Sequence, residues 1–213
     1  MAIAMKDLEI RGAGNLLGGE QSGHIADVGF DLYVRLVGEA VHEFRGDAEP
    51  ELQEVRIELP VDAHLPHDYI PSERLRLEMY KRLAEVRSDK DVDLINEELL
   101  DRYGEPPQEV SSLLLVARFR ARARSAGVSE VTIAGKNVRF APVSLPDSRV
   151  VRLMRMYPKS IVKTQSDTIL VPRPQTALVG GKPISGVALL EWARTVIDAV
   201  IDPPEQKSAK ESS

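Results

Sequence analysis

Ser88-Asp89-Lys90-Asp91-Val92-Asp93-Leu94-Ile95-Asn96-Glu97-Glu98-Leu99-Leu100-Asp101-Arg102-Tyr103-Gly104-Glu105-Pro106-Pro107 contains a start, a periodic interior and a stop in one stretch. Ser88 with Asp91 predicts a capping-box-like helix start, and Val92, Ile95, Leu99 and Leu100 recur at helical spacing. Gly104 readily takes the left-handed conformation that ends a helix. Pro106 and Pro107 then open a further helix that carries Val110, Leu113, Leu114 and Ala117 towards Gly127. Upstream, Ser72 precedes a helix with Leu75, Met79, Tyr80 and Leu83 on one face. Three helices joined by short connections imply antiparallel neighbours that share a core.

Outward from this block the period changes from 3.6 to two. Val55, Ile57 and Leu59 alternate with Arg56 and Glu58, the pattern of a half-buried strand. Residues 59–71 contain three prolines and read as a stiff, extended connector. Val131 and Ile133, a turn at Ala134-Gly135-Lys136-Asn137, then Val138 and Phe140 predict a β-hairpin. Residues 160–163 and 169–171, around Gln165-Ser166-Asp167, predict a second. Between the hairpins, Val150, Leu153 and Met154 fall at helical spacing. A last helix from about Ser185 carries Leu189, Leu190, Ala193, Val196, Ile197 and Val200.

Phe30, Tyr33, Leu36, Val37, Ala40, Val41 and Phe44 form an apolar helical stripe near the N-terminus, the second arm of a helical hairpin. The acidic run Asp47, Glu49, Glu51 and Glu54, with Pro50, follows it as a linker. The fold class is α+β: an N-terminal helical hairpin (1–46) and linker (47–54), then several helices packed on a small, mainly antiparallel sheet built from β-hairpins (55–202). The charged, Ser-rich tail (203–213) is expected to be disordered.

Composition sets the functional bounds. With 213 residues, 43% apolar and 29% charged, the chain is of the ordinary globular class. A formal charge of −5 argues against an overall electrostatic nucleic-acid binder. The absence of cysteine excludes disulfides and thiolate zinc sites. No apolar run approaches the ~20 residues of a membrane helix, and the expectation is a cytoplasmic protein with no membrane partner.

Residues 6–23 place charged and amide side chains among five glycines. Glycine admits close approach of a phosphate or another backbone, Arg11 supplies a planar fork of donors, and Gln21 an amide. No phosphate-cradling loop ends in Gly-Lys-Ser/Thr: the chain offers only Gly135-Lys136-Asn137 and Gly181-Lys182-Pro183. The spacing of Gly12, Gly14 and Gly18 also misses the dinucleotide fingerprint by one residue. No catalytic residue and no cofactor is therefore expected in this chain.

Asp7, then Arg11-Gly12-Ala13-Gly14, Leu17-Gly18 and Gln21-Ser22-Gly23, in that order before an amphipathic helix, resemble the TRG motif. That motif occurs in RecG-type branch-migration enzymes and in bacterial transcription-repair coupling factors. The resemblance implies a hairpin beside the second lobe of a superfamily-two motor, with Arg11, Gly12, Gly14, Gly18, Gln21, Ser22 and Gly23 coupling ATP-driven movement to the grip on DNA. It also implies that the chain is the C-terminal piece of a larger motor, Met1 to Met5 being a short lead-in, with ATP and Mg²⁺ bound in the parent's motor domains. Glu58-Leu59-Pro60-Val61-Asp62-Ala63, Asp68-Tyr69-Ile70-Pro71, Tyr80-Lys81-Arg82-Leu83 and Leu99-Leu100-Asp101-Arg102-Tyr103-Gly104 resemble the terminal domain specific to the coupling factors. By that resemblance the parent is a duplex-DNA translocase that displaces stalled RNA polymerase and recruits the excision-repair sensor UvrA. The terminal domain would pack on the parent's own UvrA-binding module and mask it.

Three further groups carry potential chemistry. His64 and His67 with Asp62 and Asp68 are metal-ligand types, but Pro66 prevents a helix that would aim both rings at one ion, and no metal site is expected. Asp93, Glu97, Glu98 and Asp101 beside Arg102 are expected to cap or pair, not catalyse. Arg118, Arg120, Arg122 and Arg124 share one helix, Arg118 and Arg122 on one face, Arg120 and Arg124 on another, a spread that predicts solvated charges. They are the candidate partner-binding residues. The rival reading is a stand-alone nucleic-acid-binding module that uses Arg11, Gln21 and this helix.

Overall fold

The computed structural model describes residues 55–177 and 180–203; the expected hairpin 1–46, the linker 47–54 and residues 204–213 of the expected tail lie outside them. Five strands form one sheet in the order β1-β2-β3-β5-β4: β1 (Arg56–Glu58), β2 (Glu130–Ala134), β3 (Asn137–Ala141), β4 (Ile161–Lys163) and β5 (Thr168–Pro172). β1 runs parallel to β2, with Ile57 opposite Val131, and the other pairs are antiparallel. A parallel pair needs a long crossover. Helices α1 (Glu73–Glu85), α2 (Asp89–Tyr103) and α3 (Gln108–Ser125) fill it.

Alternation decides which sheet face is covered. Val131, Phe140 and Ile169 lie opposite one another across three strands and are buried, while Arg139 and Leu170, one residue away, are only partly so. Both expected hairpins form. Gly135 takes φ +61° at the first of two turn positions between β2 and β3, the place where a tight hairpin favours glycine. The β4–β5 connection is a 3₁₀ turn (Thr164–Ser166) followed by Asp167 at φ +43°.

The helix signals are realised at the expected positions. Asp91 N–H donates to Ser88 Oγ, and the Asp91 carboxylate accepts from Ser88 N–H at 2.9 Å, closing the capping box of α2. Gly104 N–H donates to Leu100 O at the other end. Ser72 occupies the N-cap of α1, but its side chain makes no cap hydrogen bond. Leu100, expected in the core, is 47% exposed. Val92, Ile95 and Leu99 define the buried stripe, and Leu100 lies 100° from Leu99 on the helix.

Helix α4 (Asp147–Met156) buries only Leu153 fully. Helix α5 (Gly186–Val196) runs into a π-helical turn (Ile197–Ile201), and Leu189, Leu190, Ala193, Val196, Ile197 and Val200 are all buried. At the centre stands α3, packed on α1, α2 and α5. Its buried residues, among them Val110, Leu113, Val116, Phe119 and Ala123, take up an arc of about 220°, more than half of the helix, while Ser111, Leu115, Arg118 and Arg122 on the remaining side are partly buried.

The proline-rich connector is fastened by side chains of α1. Leu65 N–H donates to Tyr80 Oη at 2.8 Å, and the Arg76 guanidinium donates to Ile70 O at 2.9 Å and Pro71 O at 3.2 Å. Tyr80, Arg76 and Leu65 are all buried, so these are low-dielectric bonds with no water to replace them. Tyr80→Phe leaves the Leu65 N–H without this acceptor and is expected to cost about 1–3 kcal/mol. Urea denaturation should show a lower midpoint at unchanged slope; an unchanged midpoint would mean that the connector is held by other contacts.

Candidate functional site

The arginines of α3 are built into the fold. Arg118 bonds Asp93, and its other amino group donates to Asp89 O at 3.1 Å, at the start of α2. Arg122 donates from Nε to Asp198 at 2.6 Å and from its amino groups to the Asp202 carboxylate at 2.8 Å and Asp202 O at 2.6 Å. Burial lowers the Arg122 pKa, but the bonds to Asp202 and Asp198 outweigh it and leave the cation raised. Arg124 donates to Val86 O at 2.9 Å at the end of α1, and burial, then the nearby Arg87, pull its pKa below the usual value. Arg120 is itself buried.

The expectation of solvated charges therefore does not hold for this helix. A helical wheel separates the two arginine faces correctly, but cannot tell that other elements cover both. The guanidiniums of Arg118, Arg122 and Arg124 each reach over the edge of α3 to a carbonyl or carboxylate of a different element, keeping their stems against the core.

A second charged cluster lies at the end of α2. Arg82 of α1 grips Glu98 with two bonds, 3.0 Å to Oε1 and 2.6 Å to Oε2, and Arg102 adds a third at 2.7 Å. The Arg82 hydrogen bond, more than any other contact, holds the Glu98 carboxyl down at about 2. The Arg102 guanidinium stands 5.1 Å from the centre of the Tyr103 ring, and Tyr69 packs 5.7 Å from the same ring while its hydroxyl donates to Gly104 O at 2.9 Å. Along the outer face of the helix lie Leu94, 57% exposed, Glu97, Leu100 and Asp101. The sequence signals part of this: Glu98 and Arg102 are four apart on a helix. Arg82 is sixteen residues away, and no local pattern marks it.

His64 Nδ1 lies 2.8 Å from Asp62 and His67 Nδ1 lies 3.7 Å from Asp68. Among the described residues no group of three His, Asp or Glu side chains is placed to hold a metal ion, and no helix is long and apolar enough to cross a membrane. Arg11, Gly12, Gly14, Gly18, Gln21, Ser22 and Gly23 lie outside the described residues.

The Glu98 cluster makes a signed pH prediction. Its carboxyl is held near 2 against an ordinary 4.5, so the stabilisation is complete above about pH 5 and is lost as the pH falls towards 2. Glu98→Gln is expected to lower stability at pH 7 by about 1 kcal/mol, because the pair is partly exposed. Thermal melts of both proteins from pH 7 to pH 2 should converge on the acid side; a gap that stays constant would place the ionic contribution elsewhere.

Comparison with known proteins locates this arrangement. The family model described as "TRCF domain" matches residues 59–151, the segment holding the connector, α1, α2, α3 and the first hairpin. Transcription-repair-coupling factors of Mycobacterium tuberculosis and Mycobacterium bovis are each 49% identical over 218 aligned residues, covering 97% of this chain. The chain spans 18% of the length of those relatives. The Staphylococcus haemolyticus factor is 46% identical over 141 residues, 65% of this chain and 12% of its own length. A solved structure titled "Crystal structure of C-terminal domain of transcription-repair coupling factor" is 18% identical, with a TM-score of 0.49, and covers 68% of this chain and 93% of its own. The chain belongs to the transcription-repair-coupling factor family, of which it carries the TRCF domain.

Proposed function

We propose that residues 55–203 form a catalytically silent regulatory domain at the C-terminal end of a transcription-repair coupling factor, one that covers the parent's UvrA-binding module until the parent engages stalled RNA polymerase. The parent is an ATP-dependent duplex-DNA translocase of superfamily two, whose ATP and Mg²⁺ sites lie in motor domains outside this chain. Residues 1–46, through Arg11, Gly12, Gly14, Gly18, Gln21, Ser22 and Gly23, transmit the motor's movement to DNA.

One observation supports the masking role most directly. Within the stretch matched by the family model, the outer face of α2 leaves Leu94 and Leu100 exposed with Glu97 and Asp101 between them, beside the Glu98–Arg82–Arg102 cluster. Exposed apolar residues rimmed by charge are the composition of a protein-binding face. The arginines of α3 are occupied within the domain, which weakens both their candidacy for the partner surface and the rival reading as a nucleic-acid module.

Masking by a tethered domain needs little affinity. A short tether holds partners at an effective concentration of the order of millimolar, so an interface with a Kd of about 10 μM already leaves the module about 99% covered. Engagement of polymerase then needs only to weaken that contact, and UvrA competes for the exposed surface.

Isothermal calorimetry of the chain against the isolated UvrA-binding module should register binding that UvrA displaces. Leu94→Glu and Leu100→Glu, both at exposed positions, should weaken it at least about tenfold while leaving the fold intact. Absence of heat together with absence of competition overturns the masking role. ATP turnover by the purified chain would overturn the assignment as a non-catalytic part.

A further inference from the structure

We propose that the outer face of α4 is a docking surface for the acidic segment 47–54 of the same chain. This inference stands apart from the masking role and uses a different surface.

The observations begin with α4 itself. Leu153 anchors the helix, and the opposite face presents Val151, 68% exposed, and Met154, 39% exposed, next to Arg152 and Arg155. On the helix Val151 and Arg155 are one turn apart, as are Val151 and Met154, so the four side chains make one contiguous patch. Lys159 and Lys163, in the following turn and in β4, are also exposed. Among the described residues Arg152, Arg155, Lys159 and Lys163 have no hydrogen-bond or ion-pair partner, in contrast to the arginines of α3. Residues 147–163 hold five cations, and their one carboxylate, Asp147, stands in the first turn of α4, where the helix dipole favours it.

Methionine and arginine exposed together are typical of protein contact surfaces, and the unpaired positive charge selects an acidic occupant. Segment 47–54 has the complementary character: Asp47, Glu49, Glu51 and Glu54, no basic residue, and Leu52 to set against Val151 and Met154.

The chain path brings the two within reach. The registers place the start of β1 at the end of the sheet where β3 finishes, since Arg56 pairs with Glu130 and Glu130 with Ala141. Two strand spacings, about 10 Å, separate Arg56 from Ala141. Only the five residues 142–146 separate β3 from α4. Eight extended residues span at most about 27 Å, longer than the ten-residue α4 itself at about 15 Å. A tether this short raises the effective concentration of the acidic segment into the millimolar range, so individually weak surface ion pairs suffice to populate the docked arrangement.

Docking here would fix the direction in which residues 1–46 leave the domain. Motion transmitted through the N-terminal part would then have a defined lever on the TRCF domain instead of a free joint.

The chain has no cysteine, so Ala48→Cys in the full 213-residue protein accepts a single nitroxide without disturbing the acidic residues. The expected result, in about 10 mM salt, is loss of at least half the amide signal across residues 151–156, with recovery in about 1 M salt as the Debye length shrinks from about 30 to 3 Å. Arg152→Glu with Arg155→Glu should restore those signals, and so should Glu49→Gln with Glu54→Gln, with the dispersion of the remaining spectrum serving as the check on folding. Broadening confined to α2, or uniform broadening, overturns the proposal. Broadening that grows with protein concentration also overturns it, because the face then meets a second copy. Persistence of the effect in high salt removes the electrostatic basis.

Discussion

Helix α3 is buried over more than half of its circumference, and the rest of the domain is arranged around the consequences. An ordinary amphipathic helix gathers its charged residues on one exposed face; here Arg120 and Arg124 lie on the arc that also buries Phe119, Leu113, Val116 and Ala123, and the opposite face, with Leu115, Arg118 and Arg122, is only partly covered. Its arginines must then be satisfied inside the protein, since an unpaired buried cation costs several kcal/mol. Arg118 reaches the start of α2, Arg124 the end of α1, and Arg122 the chain beyond α5. Each accepting group belongs to an element whose position is thereby fixed relative to α3. Packing alone would permit α1, α2 and α5 to slide along the central helix; directional bonds at three of its edges remove that freedom.

How much of this was written in the local sequence depends on the range of each interaction. The capping box of Ser88 and Asp91, the stop at Gly104 and the Gly135 turn were legible because each is completed within four residues. The hairpin strands were legible because the solvent-facing side of the sheet preserves alternation. The arginine role was not, because Arg122 meets Asp202 eighty residues away, and a helical wheel describes one cylinder without its neighbours. Leu100 shows the same limit in reverse. It extends an apolar run, yet the stripe set by Val92, Ile95 and Leu99 turns it outward, where a surface residue was not anticipated. The residues of the TRG-like segment lie outside the described structure, so their coupling role rests on resemblance.

The two free surfaces differ in sign and in setting. On α2 the exposed leucines lie among carboxylates, inside the stretch that the family model covers; on α4 the exposed Val151 and Met154 lie among unpaired cations, at and beyond its end. Opposite signs keep one partner surface from using both faces in the same way, since a surface complementary to one is repelled by the other. The domain can therefore hold one acidic and one basic neighbour at once without their competing.

That separation bears on how a latch can be opened. If the same face held both the tether and the masked module, release of one would expose the other, and the two events could not be tuned independently. If both proposed contacts form on their different faces, force arriving at α4 would be carried to α2 through the turn after α5 and through α3. The arginine bonds of α3 make that path stiff: Arg149 of α4 donates to Ile201 O at 2.5 Å, in the turn whose Asp198 and Asp202 are held by Arg122, while Arg118 of the same central helix holds the start of α2. Under the proposed docking, such a path would transmit displacement as rigid-body motion of the domain and not as local unfolding, because its joints are charge-assisted or carbonyl bonds set at the edge of a close-packed core.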